Sequence, residues 1–129
     1  MVLLHGYGGS SVLYYPMAKK LAERYQVYCI DFLGMGLSSR PEFKHKTTED
    51  TISFFIDSIE EWRKAVGINE PFYLGGHSFG GYMAGQFAVK YTDRVKKLLL
   101  LSPVGVSIPQ DDEKTMEDIK NSLPFFRRQ

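Results

Sequence analysis

Short apolar runs alternate with amphipathic stretches along the chain, and the alternation predicts strand, helix, strand, helix in turn. Val2-Leu3-Leu4, Val27-Tyr28-Cys29-Ile30, Phe72-Tyr73-Leu74 and Leu98 to Leu101 are short and mostly apolar, without polar alternation. Strands buried on both faces read this way. Between the first two, Met17, Ala18, Leu21, Ala22 and Tyr25 recur at helical spacing, and Pro16 suits that helix's first turn. Between the second and third, Ile52, Phe55, Ile56, Ile59, Trp62 and Val66 form one apolar stripe. Thr47 and Asp50 have the form of a capping box at its start, and Gly67 stands where a C′ glycine belongs. A third helix follows the third strand, with Met83, Ala84, Phe87 and Ala88 on its inner side. Such alternation implies parallel pairing through right-handed crossovers. The expected fold class is therefore α/β, a doubly wound, mostly parallel sheet of about four strands over residues 1–106. Residues 107–129 read differently. After the punctuation of Pro103, Gly105 and Pro109, Asp111 to Arg128 reads as a polar helix ending in Leu123-Pro124-Phe125-Phe126, the start of a lid over the sheet.

Composition narrows the function classes. The 129 residues suffice for one domain with a core. A formal net charge of +1, from 16 basic and 15 acidic side chains, argues against nucleic acid as a partner, since phosphate binding needs a basic surplus. The single cysteine, Cys29, permits no intrachain disulfide and fits a reducing, cytoplasmic setting. The first apolar run, Met1 to Leu4, is too short for a signal core, and Leu98 to Leu101 is far below membrane-spanning length.

The chemistry lies in three loops, each following a predicted strand. Gly76-His77-Ser78-Phe79-Gly80 has the form G-x-S-x-G and sits between a buried strand and an apolar helix. A serine on a sharp strand-to-helix turn projects its hydroxyl from the sheet edge, and side chains two residues either side would collide, so both positions want glycine. The helix behind it aims its N-terminal dipole at a developing oxyanion. His5-Gly6-Tyr7-Gly8-Gly9 follows the first strand, where an oxyanion loop belongs, and would present the N–H groups of Tyr7 and Phe79 to that charge. His5 reads as an anchor of this loop. The third loop, Asp31 to Pro41, carries Gly34 and Gly36 but no third glycine opening a helix, so it reads as a tight loop at the carboxyl edge of the sheet.

On these three motifs in this order, from Val2 to about Val106, the chain resembles the α/β-hydrolase fold superfamily. Leu13 to Pro16, Ile30 to Pro41 and Gly75 to Met83 resemble one subgroup, the α/β-hydrolase-domain phospholipases and lipase coactivators. The resemblance implies Ser78 as nucleophile and Tyr7 and Phe79 as oxyanion donors, with His5, Gly6, Gly76, His77 and Gly80 shaping the supporting loops. It implies a lipid or acyl substrate of the lysophospholipid or N-acyl phospholipid class, cleaved through an acyl-enzyme without metal or organic cofactor. A lipid-droplet or membrane surface is a further implied partner. The coactivator branch typically carries asparagine at the nucleophile position, so Ser78 points to the hydrolytic branch. The alternatives are a non-catalytic lipid-binding or coactivator protein, a lysophosphatidic acid acyltransferase on the same scaffold, and a truncated fragment without function.

A serine needs a base and a group to orient that base, and in this fold the order is serine, acid, histidine. His5, His45 and His77 all precede Ser78, so the acid and the histidine are expected beyond Gln129, and this chain alone is expected to be inactive. His45 and Asp50 share the spacing of an acyltransferase motif, but Asp50 is better explained as a helix start. Tyr14 and Tyr15 read as packing or as the lining of an acyl pocket, and Trp62, Phe55 and Cys29 as core. Phe125-Phe126-Arg127-Arg128 reads as packing under a lid or as a contact with lipid.

Overall fold

The computed structural model describes residues 1–105. The expected polar helix and lid segment lie outside the described residues. Four strands, β1 (Val2–Leu4), β2 (Tyr28–Ile30), β3 (Phe72–His77) and β4 (Val95–Leu101), form one sheet in the order β2-β1-β3-β4. All three pairings are parallel, with Leu4 opposite both Ile30 and Gly76, and His77 opposite Leu101. Helices α1 (Tyr15–Ala22), α2 (Thr48–Ala65) and α3 (Phe79–Lys90) connect them, α1 after a short 3-10 turn at Ser11–Tyr14. The β1-to-β2 crossover runs across the sheet in the opposite direction to the other two. Right-handedness then sets α1 on one face and α2 with α3 on the other. The chain connections therefore part company between the carboxyl ends of β1 and β3, which is where open α/β sheets make a crevice.

The core explains why α2 and α3 hold. Val2, Leu4, Phe32 and Leu74 pack with Phe55, Ile56 and Ile59 of α2 and Met83, Ala84 and Phe87 of α3. The start of α2 is capped as expected, the Thr47 hydroxyl accepting from the Asp50 N–H at 3.1 Å. Its end is a Schellman motif. Gly67 takes φ 74°, its N–H bonds the Lys64 carbonyl, and the Ile68 N–H bonds the Arg63 carbonyl. Among the described residues, no helix is long and apolar enough to cross a membrane.

Three expectations change. Strand β3 runs on to His77, so Gly76 and His77 are ladder residues and the turn is concentrated at Ser78 alone. Strand β4 starts at Val95 and is not buried on both faces, since Lys96 and Lys97 are exposed and Leu100 is 43% exposed. Helix α1 ends at Ala22, leaving Tyr25 outside it, and none of its residues is buried. The spacing of its apolar residues specified a helix face, not a partner for it.

The sequence reading also missed a buried ion pair. Glu60 and Arg63, one turn apart on α2, are 4% and 5% exposed and joined by two hydrogen bonds of 2.7 and 2.8 Å. Arg63 also donates to the Ile68 carbonyl, so the pair fastens the helix end to the loop entering β3. Hydrogen bonding from Arg63 holds the Glu60 carboxyl below its ordinary value, outweighing the opposing effect of burial. Glu60→Ala is expected to cost about 3 kcal/mol or more in urea unfolding, because Arg63 would be left buried without its partner. The contribution should be present above the unfolded glutamate value of about 4.3 and lost as pH falls through the lower folded value. A variant melting curve that keeps the wild-type acid sensitivity would contradict this assignment.

Candidate active site

Ser78 is where the backbone does something unusual. It takes φ 54° and ψ −117°, a conformation L residues rarely adopt, between the last residue of β3 and the first of α3. Its N–H continues the ladder to the Leu101 carbonyl at 3.0 Å, and its carbonyl accepts the first helical bond from Tyr82 at 3.1 Å. A serine at a helix start usually caps the helix with its own side chain. Ser78 does not, so its hydroxyl is not tied to the helix. Among the described residues no side chain hydrogen-bonds it.

The flanking glycines are required by contact. A Cβ on Gly76 would lie 2.1 Å from the Gly80 carbonyl oxygen. A Cβ on Gly80 would lie 2.3 Å from the Leu4 carbonyl oxygen and 2.4 Å from that of His5. The collision anticipated between the two flanking positions is thus present from the Gly76 side, and Gly80 meets in addition the end of β1, on which α3 rests directly.

The loop after β1 reaches the same point. A Cβ on Gly6 would lie 3.4 Å from the Ser78 Cβ and 3.2 Å from His77 Nδ1, so the loop lies against the serine turn. The Gly9 N–H closes a turn onto the Gly6 carbonyl, with Gly8 at φ 67°. His5 is fully buried. Its Nε2 accepts from the Phe32 N–H at 3.2 Å, which leaves Nδ1 to donate to the Gly6 carbonyl at 2.7 Å. His5 thus fixes the loop by two backbone contacts. The N–H groups of Tyr7 and Phe79 have no hydrogen-bond partner among the described residues. Their rings meet edge to face at 6.0 Å.

Tyr14 and Asp31 support this arrangement. Tyr14 is buried and donates to the Leu4 carbonyl at 2.7 Å, just where the β1 ladder ends. Burial first, offset in part by the His77 N–H, pushes its hydroxyl up to about 12. Tyr14 is therefore packing and not pocket lining, while Tyr15 is 81% exposed. Asp31 accepts from the Ser11 N–H at 2.5 Å and the Leu37 N–H at 2.8 Å, clasping the loops after β1 and β2 together. A Cβ on Gly36 would strike its carboxylate at 2.1 Å. Burial raises the Asp31 pKa, but the Leu37 and Ser11 N–H groups, together with the Ser11 side chain and His5, outweigh it and the net shift is downward. Asp31→Asn is expected to cost about 1–3 kcal/mol through a lost acceptor. The wild-type advantage should be present above about pH 4 and vanish as pH falls through the lower folded value, a window that acid unfolding of the pair would expose.

The other histidines are elsewhere. His77 stands beside Ser78 in sequence, yet its Nδ1 is buried with no hydrogen-bond partner among the described residues. His45 is exposed, and its ring meets Phe43 edge to face at 5.2 Å and Phe54 at a tilt at 5.0 Å. Cys29 is half-buried on β2, its thiol pushed up by burial. It lines a cavity of about 360 Å³ between β2 and α2 that contains no residue of the serine turn. A second cavity, of about 480 Å³, adjoins the serine turn and is lined by Tyr7, Phe79, the loop after β2 and α2. Sequence reasoning missed it. The available signal was Phe54, an aromatic off the buried stripe of α2, with Phe43 shortly before it in a polar loop.

The model of the alpha/beta hydrolase fold family matches residues 1–129. A probable 1-acylglycerol-3-phosphate O-acyltransferase of Oryza sativa subsp. japonica is 48% identical over 83% of this chain and 26% of its own length. A (lyso)-N-acylphosphatidylethanolamine lipase of Homo sapiens is 41% identical over 81% of the chain and 30% of its own length. Among solved structures, a bacterial membrane phospholipase A superposes with a TM-score of 0.78 at 26% identity, covering 99% of this chain and 40% of that one. The chain thus spans about a quarter of the length of the acyltransferase it matches. With its four parallel strands, its serine turn and a family model matched along its full length, the chain belongs to the alpha/beta hydrolase fold family.

Proposed function

We propose that this chain carries the nucleophile of a lipid acyl hydrolase or acyltransferase, with Ser78 attacking the acyl carbonyl. The observation that carries the reading is the Ser78 conformation, φ 54° with no capping bond, held against the Gly6–Tyr7 loop. In the proposed reaction Ser78 Oγ bonds to the carbonyl carbon as its proton passes to a base. The oxyanion accepts from the Tyr7 and Phe79 N–H groups, which are free to donate. The bond to the leaving alcohol or amine then breaks, and that group takes the proton. Water, or the hydroxyl of a lysophospholipid, next attacks the acyl-serine and restores the Oγ–H. None of His5, His45 and His77 is placed as that base, so we assign it, with its orienting acid, to the remainder of the protein. Lysophospholipids and N-acyl phospholipids are the proposed substrates, met at a membrane or lipid-droplet surface. The acyltransferase and lipase relatives support both acceptors.

The test is labelling of the whole protein with a fluorophosphonate, followed by peptide mapping. Label on the Ser78 peptide, absent in Ser78→Ala, is the expected result. A folded whole protein that takes no label would turn the reading to a non-catalytic lipid-binding protein. Product analysis with and without a lysophospholipid acceptor separates hydrolysis from transfer.

A further inference from the structure

The cavity beside Ser78 is built almost entirely of apolar groups. At about 480 Å³ it lies within the range of small-molecule sites. Phe79, the residue after the serine, begins a row of rings. Phe79 meets Phe55 at 5.3 Å, Phe55 meets Phe54 at 5.1 Å, and Phe54 meets Phe43 at 5.3 Å. Phe55 is buried, Phe54 half-buried and Phe43 51% exposed, so the row leads from the serine toward solvent along α2. Edge-to-face contacts of this kind hold rings in fixed positions. No charged side chain lines the cavity. Its one threonine hydroxyl, on Thr51, already bonds the Thr47 carbonyl at 2.8 Å.

From this we infer that the cavity receives the reacting acyl chain, and that Phe54 sets the length it accepts. The inference rests on the Ser78 reading above. A phosphate or ammonium head group in this cavity would lose its hydration with no opposite charge to replace it. A hydrocarbon chain whose carbonyl carbon sits at Ser78 can instead run along the faces of Phe79, Phe55 and Phe54 and lose only water contact. The polar leaving group then remains on the open side of the serine. Phe43 and His45, in contact with the Phe54 ring edge to face and tilted respectively, back the far end of the row.

The experiment is a chain-length profile of the whole protein on N-acyl lysophosphatidylethanolamines, from hexanoyl to stearoyl on nitrogen with the glycerol chain fixed. A second series varies the glycerol chain alone. The expected result is a rise in kcat/KM of about fourfold per methylene of the reacting chain until the cavity is full, the factor equivalent to about 0.8 kcal/mol. Phe54→Ala should move the optimum to longer chains and Phe54→Trp to shorter ones. An optimum that both variants leave in place, or one that follows the chain that is not released, overturns the assignment. If no substrate turns over, the Ser78 reading has failed, and binding decides the cavity separately. Ser78→Ala protein should then bind a fluorescent hexadecanoic acid, and adding Phe54→Asp should weaken it at least tenfold at an unchanged melting temperature. Equal binding by the two proteins overturns the cavity assignment as well. Should Phe54→Asp not fold, Phe54→Ala and Phe54→Trp in the Ser78→Ala background are read by binding across a series of fluorescent fatty acids, and a length preference unchanged in both overturns the cavity assignment.

Discussion

Ser78→Ala in the whole protein is expected to lower kcat for acyl transfer by a factor on the order of 10⁴ to 10⁶, the range seen when a nucleophile acting in concert with its base is removed. Ser78→Gly should lose as much activity while unfolding at a higher temperature. The difference comes from the backbone. At φ 54° and ψ −117° the Ser78 Cβ is held in a conformation that costs of order 1–3 kcal/mol. Alanine keeps that Cβ and the strain with it. Glycine removes both, and repays part of the gain through its larger unfolded-state entropy, about 0.5–1 kcal/mol. The net expectation is about 1 kcal/mol of added stability for Ser78→Gly and close to none for Ser78→Ala. A structural serine that merely capped α3 would behave in the opposite way, losing stability with alanine. Paired melting curves of the two variants therefore separate a strained, chemistry-bearing serine from a helix cap without any substrate at all. A glycine variant that melts below the alanine variant would remove the strain argument.

Much of this architecture is legible in the sequence because single residues carry unambiguous physical demands. Gly67 could only be a left-handed helix end, and the structure completes the motif around it. The stripe Phe55, Ile56, Ile59 faces the core as its spacing requires. Gly76 and Gly80 flag the serine turn because no other residue fits there. Features that depend on distant partners were not legible. Glu60 and Arg63 have the spacing of an ordinary solvated helix pair, and only the packing of the Ile68 loop over them makes them buried. Gly75, Gly76 and His77 look like turn residues, yet β4 supplies a ladder partner for each. Leu100 and Leu101 look like an interior strand, but they lie at the edge of the described sheet. Asp31 stands in a glycine-rich loop whose pattern suggests tightness and says nothing of which two backbones the carboxylate joins. The aromatic row from Phe79 to Phe43 needs α2 and the loop before it brought together, which no local periodicity encodes.

Gly80→Ala should destabilise the whole protein by about 3 kcal/mol, at the upper end of overpacking costs, and take catalytic competence with it. Intrinsic propensity predicts the reverse, because Gly80 lies within α3 and glycine costs a helix about 1 kcal/mol relative to alanine. The close approach decides the sign. The added methyl would sit 2.3 Å from the Leu4 carbonyl oxygen and 2.4 Å from that of His5. Neither oxygen can yield cheaply. Strand β1 is paired on both sides, the Leu4 carbonyl accepts from Tyr14, and the following loop is fixed through His5. Relief would require α3 to lift away from β1, which would carry Ser78 and the Phe79 N–H away from the Gly6–Tyr7 loop. Gly85 supplies the control on the same helix, since a Cβ there meets nothing within 4 Å. Gly85→Ala should therefore follow propensity and gain up to about 1 kcal/mol. Opposite signs from two identical substitutions one and a half turns apart would locate the contact between α3 and β1 that holds the serine turn in place. Equal signs would mean that α3 does not rest on β1, and the joining of the two candidate oxyanion donors would lose its structural basis.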